Sequence, residues 1–82
     1  MIQKQILKIC DLFFKNKQDI RLGKLTIIIS NNEYYFYHYH MLVLKYDFNL
    51  DVITFEDSEC RTDTIIKNNF KLYLKTFIMN SN

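Results

Sequence analysis

The residues best suited to chemistry in this chain are two histidines, His38 and His40, in the stretch EYYFYHYH. Because they lie two positions apart on an expected strand, both imidazoles would point to the same face of a sheet. The hairpin expected after them sets His40 opposite Asp57 and His38 near Glu59, with Cys60 close by. Such a set could ligate zinc, or it could act as an acid and a base in phosphodiester cleavage.

A structural role is the alternative for these histidines, and it is the one we expect. At the margin of a sheet they would pack and hydrogen-bond to the acidic turn, since clusters of titratable groups are often only structural. A single glycine, Gly23, excludes a glycine-rich phosphate loop, and Cys10 falls on an apolar helix stripe. We therefore predict no enzyme activity, no cofactor and no metal site, with His38 and His40 as the weak candidates for a metal.

The tyrosines of the same stretch predict a binding surface. If Tyr34 and Phe36 face a core, the odd-numbered rings point the other way. Tyrosine is favoured where a flat ring and a hydroxyl meet a partner, although it is also a good strand residue that tolerates half exposure. The predicted partner-binding residues are Tyr35, Tyr37, Tyr39, Met41, Lys24 and Lys45.

Three strands are expected to position these side chains. Residues 22–29 alternate as a strand, and the Asn-Asn pair at 31–32 can form a two-residue turn because asparagine tolerates positive φ. A long strand is expected over residues 34–46, then a turn at 48–49 and a third strand over residues 52–56.

The register of these hairpins follows by counting outward from each turn. The first turn sets Ile27 opposite Phe36 and Leu25 opposite His38. The second turn sets Leu44 opposite Ile53 and Leu42 opposite Phe55. Both hairpins then place apolar residues on one face: Leu25, Ile27, Ile29, Tyr34, Phe36, Leu42, Leu44, Ile53 and Phe55. The other face carries the odd-numbered tyrosines with Lys24, Thr26, Ile28, Met41, Val43, Lys45, Val52 and Thr54.

Helices are expected at both ends of the chain. The first, ending at Asn16, carries an apolar stripe at helical spacing: Ile2, Ile6, Ile9, Cys10 and Phe13. The last segment, with Thr62 or Asp63 as N-cap, carries a similar arc: Ile66, Phe70, Tyr73, Leu74 and Phe77. Its alternative is a further β-hairpin that turns at residues 68–69.

The fold class predicted is α+β, one small domain over residues 1–82 in the order α-β-β-β-α. It is a three-stranded antiparallel meander with both helices on one face. This order is similar to that of double-stranded RNA-binding domains. Those domains carry a lysine cluster at the start of the second helix, where this chain has RTDT and then Lys67 alone. The resemblance is therefore one of element order. Residues 80–82 are expected to fray.

Composition limits where the protein acts. There is no apolar run of 18 residues and no compact apolar segment of a signal peptide, so we expect a cytoplasmic protein without a membrane partner. The two cysteines lack a paired spacing and are expected to be free thiols. The net charge of +2 leaves a basic nucleic-acid surface open and argues against an acidic mimic of DNA.

Residue usage suggests where the gene comes from. Phe, Tyr, Met, Ile, Asn and Lys, which have AT-rich codons, make up 44 of the 82 residues, as in many phages, plasmids and hosts with low-GC genomes. Together with the short chain, this leads us to expect a phage or mobile element as the source. We predict a small non-catalytic interaction protein that binds and inhibits or modulates a host protein or nucleoprotein complex, such as a defence-system component. The alternatives are a homodimer through the same face, an RNA- or DNA-binding module with tyrosine stacking, and a small histidine-based metal-dependent nuclease.

Overall fold

A five-stranded antiparallel sheet with two helices packed on one face makes up the computed structural model, which describes residues 2–79. The strands pair in chain order as a meander. The elements are α1 (Ile2–Asn16), β1 (Ile20–Leu22), β2 (Leu25–Ser30), β3 (Glu33–His38), β4 (Met41–Asp47), β5 (Val52–Glu56), α2 (Arg61–Tyr73) and a π-helical segment (Leu74–Ile78). The α+β class is confirmed, while the number of strands is five rather than three. The expected fraying of residues 80–82 lies outside the described residues.

Helix α1 is built as its apolar stripe predicts. Ile6, Ile9, Cys10 and Phe13 are buried against the sheet, and the helix ends at Asn16. Lys17 follows in a left-handed conformation with a φ of 55°. Its N–H donates to the carbonyl of Phe13 at 2.7 Å, which satisfies a carbonyl that the helix end would leave unpaired.

Strand β1 is the first element that the sequence did not predict. Residues 22–29 were expected to form one strand, but the chain reverses at Gly23 and Lys24, so that Leu22 pairs with Leu25. Gly23 has a φ of +60°, a conformation that glycine adopts without steric cost. Residues 20–22 therefore form a separate edge strand.

The hairpin of β2 and β3 has the register that the sequence predicts. Asn31 has a φ of 55° in the turn, as the interpretation of the Asn-Asn pair requires. Ile27 pairs with Phe36 and Leu25 pairs with His38. The side chains of these four residues are buried, so the sheet face beneath the helices is assigned correctly here.

The prediction of one long strand over residues 34–46 is wrong. The chain reverses at Tyr39 and His40, and His38 pairs with Met41. Tyr39 has a φ of 55°, which is unfavourable for a bulky side chain. Tyrosine is not a usual turn residue, so the sequence gives no signal of this reversal. A bulge then leaves Val43 as an extra residue in β4, and Val43 is buried rather than on the outer face.

The register expected between β4 and β5 is also wrong. Tyr46, not Leu44, pairs with Ile53, and Lys45 pairs with Phe55. The turn spans residues 48–51 because the Asp47 carboxylate accepts the backbone N–H groups of Asn49 and Leu50, each at 2.9 Å. Leu42 and Phe55, both expected in the core, lie on the opposite face of the sheet. Leu42 lies there because of the reversal at Tyr39 and His40, and Phe55 because a register shift leaves Thr54 without a pairing partner.

The last segment is helical, and the hairpin alternative is wrong. Its predicted arc is buried at Ile66, Phe70, Tyr73 and Leu74. The arc fails at Phe77, which is 62% exposed. In the π-helical segment each turn contains more residues than in an α-helix. The resulting phase shift carries Phe77 into solvent and places Ile78 against the core.

We expect Gly23→Ala to lower the free energy of unfolding by about 1–2 kcal/mol, because a Cβ is disfavoured in the left-handed region. No atom lies within 4 Å of the added Cβ, so backbone strain alone accounts for the cost. Gly23→Asn is the matched control and should cost less, because asparagine tolerates this conformation. Urea unfolding measures both, and equal stability of all three proteins would contradict the assignment.

Candidate functional site

The outer face of the sheet, defined here as the face opposite the helices, carries the predicted tyrosine surface. Helix α1 contacts β1 and β2, and α2 contacts β3 and β4, with the two helices touching each other. Within residues 2–79 no helix or strand covers the outer face. Strand pairing arranges its side chains in rows, one of Arg21, Thr26, Tyr37 and Leu42, and the next of Ile28, Tyr35, Lys45 and Phe55.

Two hairpin turns stand side by side at one end of this face. The backbone N–H of Tyr39 donates to the carbonyl of Lys24 at 2.8 Å, which joins the β3–β4 turn to the β1–β2 turn. Between them and the first row lies a cavity of about 280 Å³, the turn pocket, lined by Arg21, Gly23, Lys24, Thr26, Ile28, Tyr37, Tyr39 and His40. The pocket is therefore formed by strand residues together with the residues of two reversals.

The turn pocket combines aromatic and cationic groups. The ammonium of Lys24 lies 5.9 Å from the centre of the Tyr39 ring, within range of a cation–π interaction. Arg21 and His40 supply further nitrogen donors. No carboxylate is among the lining residues, so the fixed charge of the pocket is positive.

The second row repeats an aromatic ring beside a cation. The Lys45 ammonium lies 5.1 Å from the centre of the Tyr35 ring and 3.5 Å from a carboxylate oxygen of Glu33. Glu33 also accepts a hydrogen bond from Thr54 at 2.7 Å. Because of Glu33, this end of the outer face is closer to electrical neutrality than the turn pocket is.

The structure places five of the six predicted binding residues on the outer face or at its edge. Lys24, Tyr37 and Tyr39 meet in the turn pocket, and Tyr35 and Lys45 occupy the next row. Met41 does not join them. It pairs with His38 and packs against the core, because the reversal at Tyr39 and His40 changes which face the following residues occupy.

Arg21 and His40 are lining residues of the pocket that the sequence did not place there. Arg21 was missed together with β1, although Gly23 two residues later was a signal of a turn. His40 was assigned to the apolar face of a continuous strand. Nothing in the residue types around the reversal indicated its position.

His38 forms a buried pair with Asp63, at 2.6 Å between Nδ1 and Oδ1. The expected pairing of the two histidines with Asp57 and Glu59 is wrong, because His40 lies exposed in a turn and the partner of His38 comes from α2. The second oxygen of Asp63 accepts the backbone N–H of Glu59 at 3.2 Å. The hydrogen bond from His38 lowers the pKa of Asp63 below its usual value, against the raising effect of burial. The pair therefore fastens β3 to the first turn of α2.

Other groups with potential chemistry are placed unfavourably for it. Burial raises the pKa of the Cys10 thiol, which disfavours the thiolate needed for nucleophilic attack. Among residues 2–79 no three His, Cys, Asp or Glu side chains are grouped so that they could hold a metal ion. In the same part of the chain, no helix has the length and apolar character needed to cross a membrane.

Comparisons with protein-family models, with curated proteins and with solved structures found no match for this chain.

We expect the free energy of unfolding to decrease as the pH falls below about 4, the usual pKa of an aspartate in an unfolded chain. Because the folded state lowers the pKa of Asp63, its contribution is present above that pH and is lost as the carboxylate is protonated. In Asp63→Asn this acid-dependent loss should be smaller. Urea unfolding at a series of pH values from about 6 to below 4 measures it.

Asp57→Asn, which removes an exposed carboxylate instead of the buried one, is the matched control. Asp63→Ala should cost about 1–3 kcal/mol near neutral pH, because it leaves the buried His38 nitrogen without its partner. An unchanged pH profile in Asp63→Asn would contradict the role assigned to the pair.

Proposed function

We propose that this chain is a small non-catalytic binding protein that engages a macromolecular partner through the outer face of its sheet. The observation that supports this most directly is the placement of both helices on one side. That placement leaves Tyr35, Tyr37 and the surrounding apolar residues without a covering element in the described chain.

The make-up of the outer face supports an interface. Tyr39 is 57% exposed, and Leu42 and Phe55 add apolar surface that the sequence had assigned to the core. Contiguous apolar and aromatic surface of this kind is uncommon on monomers that act alone. Tyrosine is enriched at interfaces because its ring contributes buried area while its hydroxyl stays hydrogen-bonded.

The positions of the reactive side chains favour binding over catalysis. His38 is held by Asp63, and Cys10 is buried in the core. Both of these groups therefore have a structural explanation. The histidine-based nuclease is accordingly the least supported of the three functions considered.

The use of residues with AT-rich codons leads us to propose a phage or mobile element as the source. We also propose that the protein acts in the cytoplasm. The partner we propose is a host protein or nucleoprotein complex, such as a defence-system component, whose activity is inhibited or modulated. A second copy of this chain is the other occupant that the same surface would accept.

The test replaces the aromatic rings of the outer face with residues that favour the same backbone conformation at each position. Tyr35→Thr and Tyr37→Thr retain β-branched strand residues, and Tyr39→Asn suits the positive φ of the turn. Leu7→Ser with Leu72→Ser, at exposed positions of the helices, is the matched control. Tagged proteins are used to capture partners from a host lysate, which are identified by mass spectrometry.

We expect the triple tyrosine variant to bind the captured partner at least roughly tenfold more weakly, as for the removal of interface hot spots, while the helix variant keeps it. Thermal unfolding of each variant separates loss of binding from loss of folding. Light scattering over a range of protein concentrations shows whether the partner is a second copy. Capture that survives in the folded triple variant would remove the outer face as the working surface.

A further inference from the structure

We infer that the outer face binds the single-stranded nucleic acid of a nucleoprotein partner, with the turn pocket holding one nucleotide. This inference rests on the proposed function, because it concerns the same surface and names the chemistry of what binds there. It is argued from the pairing of aromatic rings with cations, from the charge of the pocket and from its size.

Two aromatic rings of the outer face each lie beside a cation. Lys24 lies 5.9 Å from the ring of Tyr39, and Lys45 lies 5.1 Å from the ring of Tyr35. Tyr37 stands between them on the same strand face. Proteins that bind single strands combine the same two components, rings on which bases stack and cations that neutralise the backbone. A folded protein partner would not require this repeated pairing.

The charge of the turn pocket selects an anion. Within the described chain, neither Arg21 nor Lys24 takes part in an ion pair, whereas Lys45 is paired with Glu33. No carboxylate is among the lining residues, so the charges of Arg21 and Lys24 are available to form charge-assisted hydrogen bonds with a phosphate. The phosphate contact is therefore assigned to the Arg21 and Lys24 end of the outer face.

The size of the turn pocket favours one nucleotide of an unpaired strand. Its volume of about 280 Å³ is near the lower end for pockets that hold small ligands. Thr26, Tyr37 and Tyr39 are among its lining residues, and their hydroxyls are groups that can hydrogen-bond the edge of a base. A base must leave its helical stack to reach such a site, so an unpaired strand is favoured over a duplex.

The experiment measures binding of fluorescein-labelled single strands of thymidylate and of uridylate by anisotropy, from low to moderate salt. The wild type should bind, and its affinity should fall steeply with salt concentration. Arg21→Gln with Lys24→Gln should reduce the slope of log affinity against log salt by about 1.4, at roughly 0.7 for each phosphate that is no longer neutralised. Lys4→Gln with Lys8→Gln on α1 removes the same charge elsewhere and should leave the slope unchanged.

The contribution of the rings is measured with the same strands. Tyr39→Asn and Tyr37→Thr should each weaken binding by roughly 5- to 150-fold, the range expected for loss of one stacked base. Unlabelled dextran sulfate and a duplex of the same length serve as competitors, and both should compete less well than the single strand. Stronger competition by the single strand than by dextran sulfate or duplex distinguishes a nucleotide site from a surface that binds any polyanion.

Three outcomes would overturn the inference. They are no binding at low salt, equal loss in the Lys4 and Lys8 control, and competition by dextran sulfate or duplex that matches the single strand. If these occur while tyrosine-dependent capture of a host protein persists, the nucleic-acid inference fails and the proposed function stands. If capture also survives the triple tyrosine replacement, the outer face is not the working surface and both proposals fail.

Discussion

The register of β2 against β3 is the constraint on which the rest of the structure depends. The side-chain period of a strand is two, so a slip of one residue would exchange the two faces. The turn at Asn31 fixes this register and directs Tyr34 and Phe36 toward the helices. The same choice leaves Tyr35 and Tyr37 on the outer face. One turn therefore determines which residues of β3 enter the core and which lie on the proposed binding surface.

The buried pair of His38 and Asp63 extends that constraint to the helical layer. His38 is the last residue of β3, directly before the reversal that carries Tyr39. Fastening it to the first turn of α2 holds the end of β3 in place from beneath the sheet. The hydrogen bond from Tyr39 to Lys24 holds the reversal from the side. Together these two contacts hold in place the turns that form the turn pocket.

The elements predicted well from sequence are those in which a local pattern and a turn residue agree. Helix α1 has a clean apolar stripe, and the β2–β3 hairpin has asparagine at the position with positive φ. The second helix was predicted from the arc of Ile66 and Phe70, although its π-helical end was not, because Phe77 continues the apolar spacing of an α-helix.

Where the sequence failed to predict the strands after β3, a turn lacks the usual turn residues or a bulge interrupts the strand. Tyr39 reverses the chain without any of the usual turn residues, and register shifts on both sides of β4 interrupt the alternation on which register counting depends. Most of the candidate site was still predicted, since Tyr35 and Tyr37 lie before the reversal at Tyr39. Arg21 was missed, and His40 and Met41 were assigned to the wrong face. The positions of all three depend on chain reversals that the sequence did not predict.

The backbone conformation of Tyr39 has a consequence for how this sequence responds to selection. A bulky residue at a φ of 55° is less favourable there than Asn or Gly, so the native turn is below its stability optimum. A library screened only for heat resistance should accumulate asparagine or glycine at this position. One screened for retention of the proposed partner should keep an aromatic ring. A difference between the two libraries would show that stability and the proposed binding favour different residues at this position.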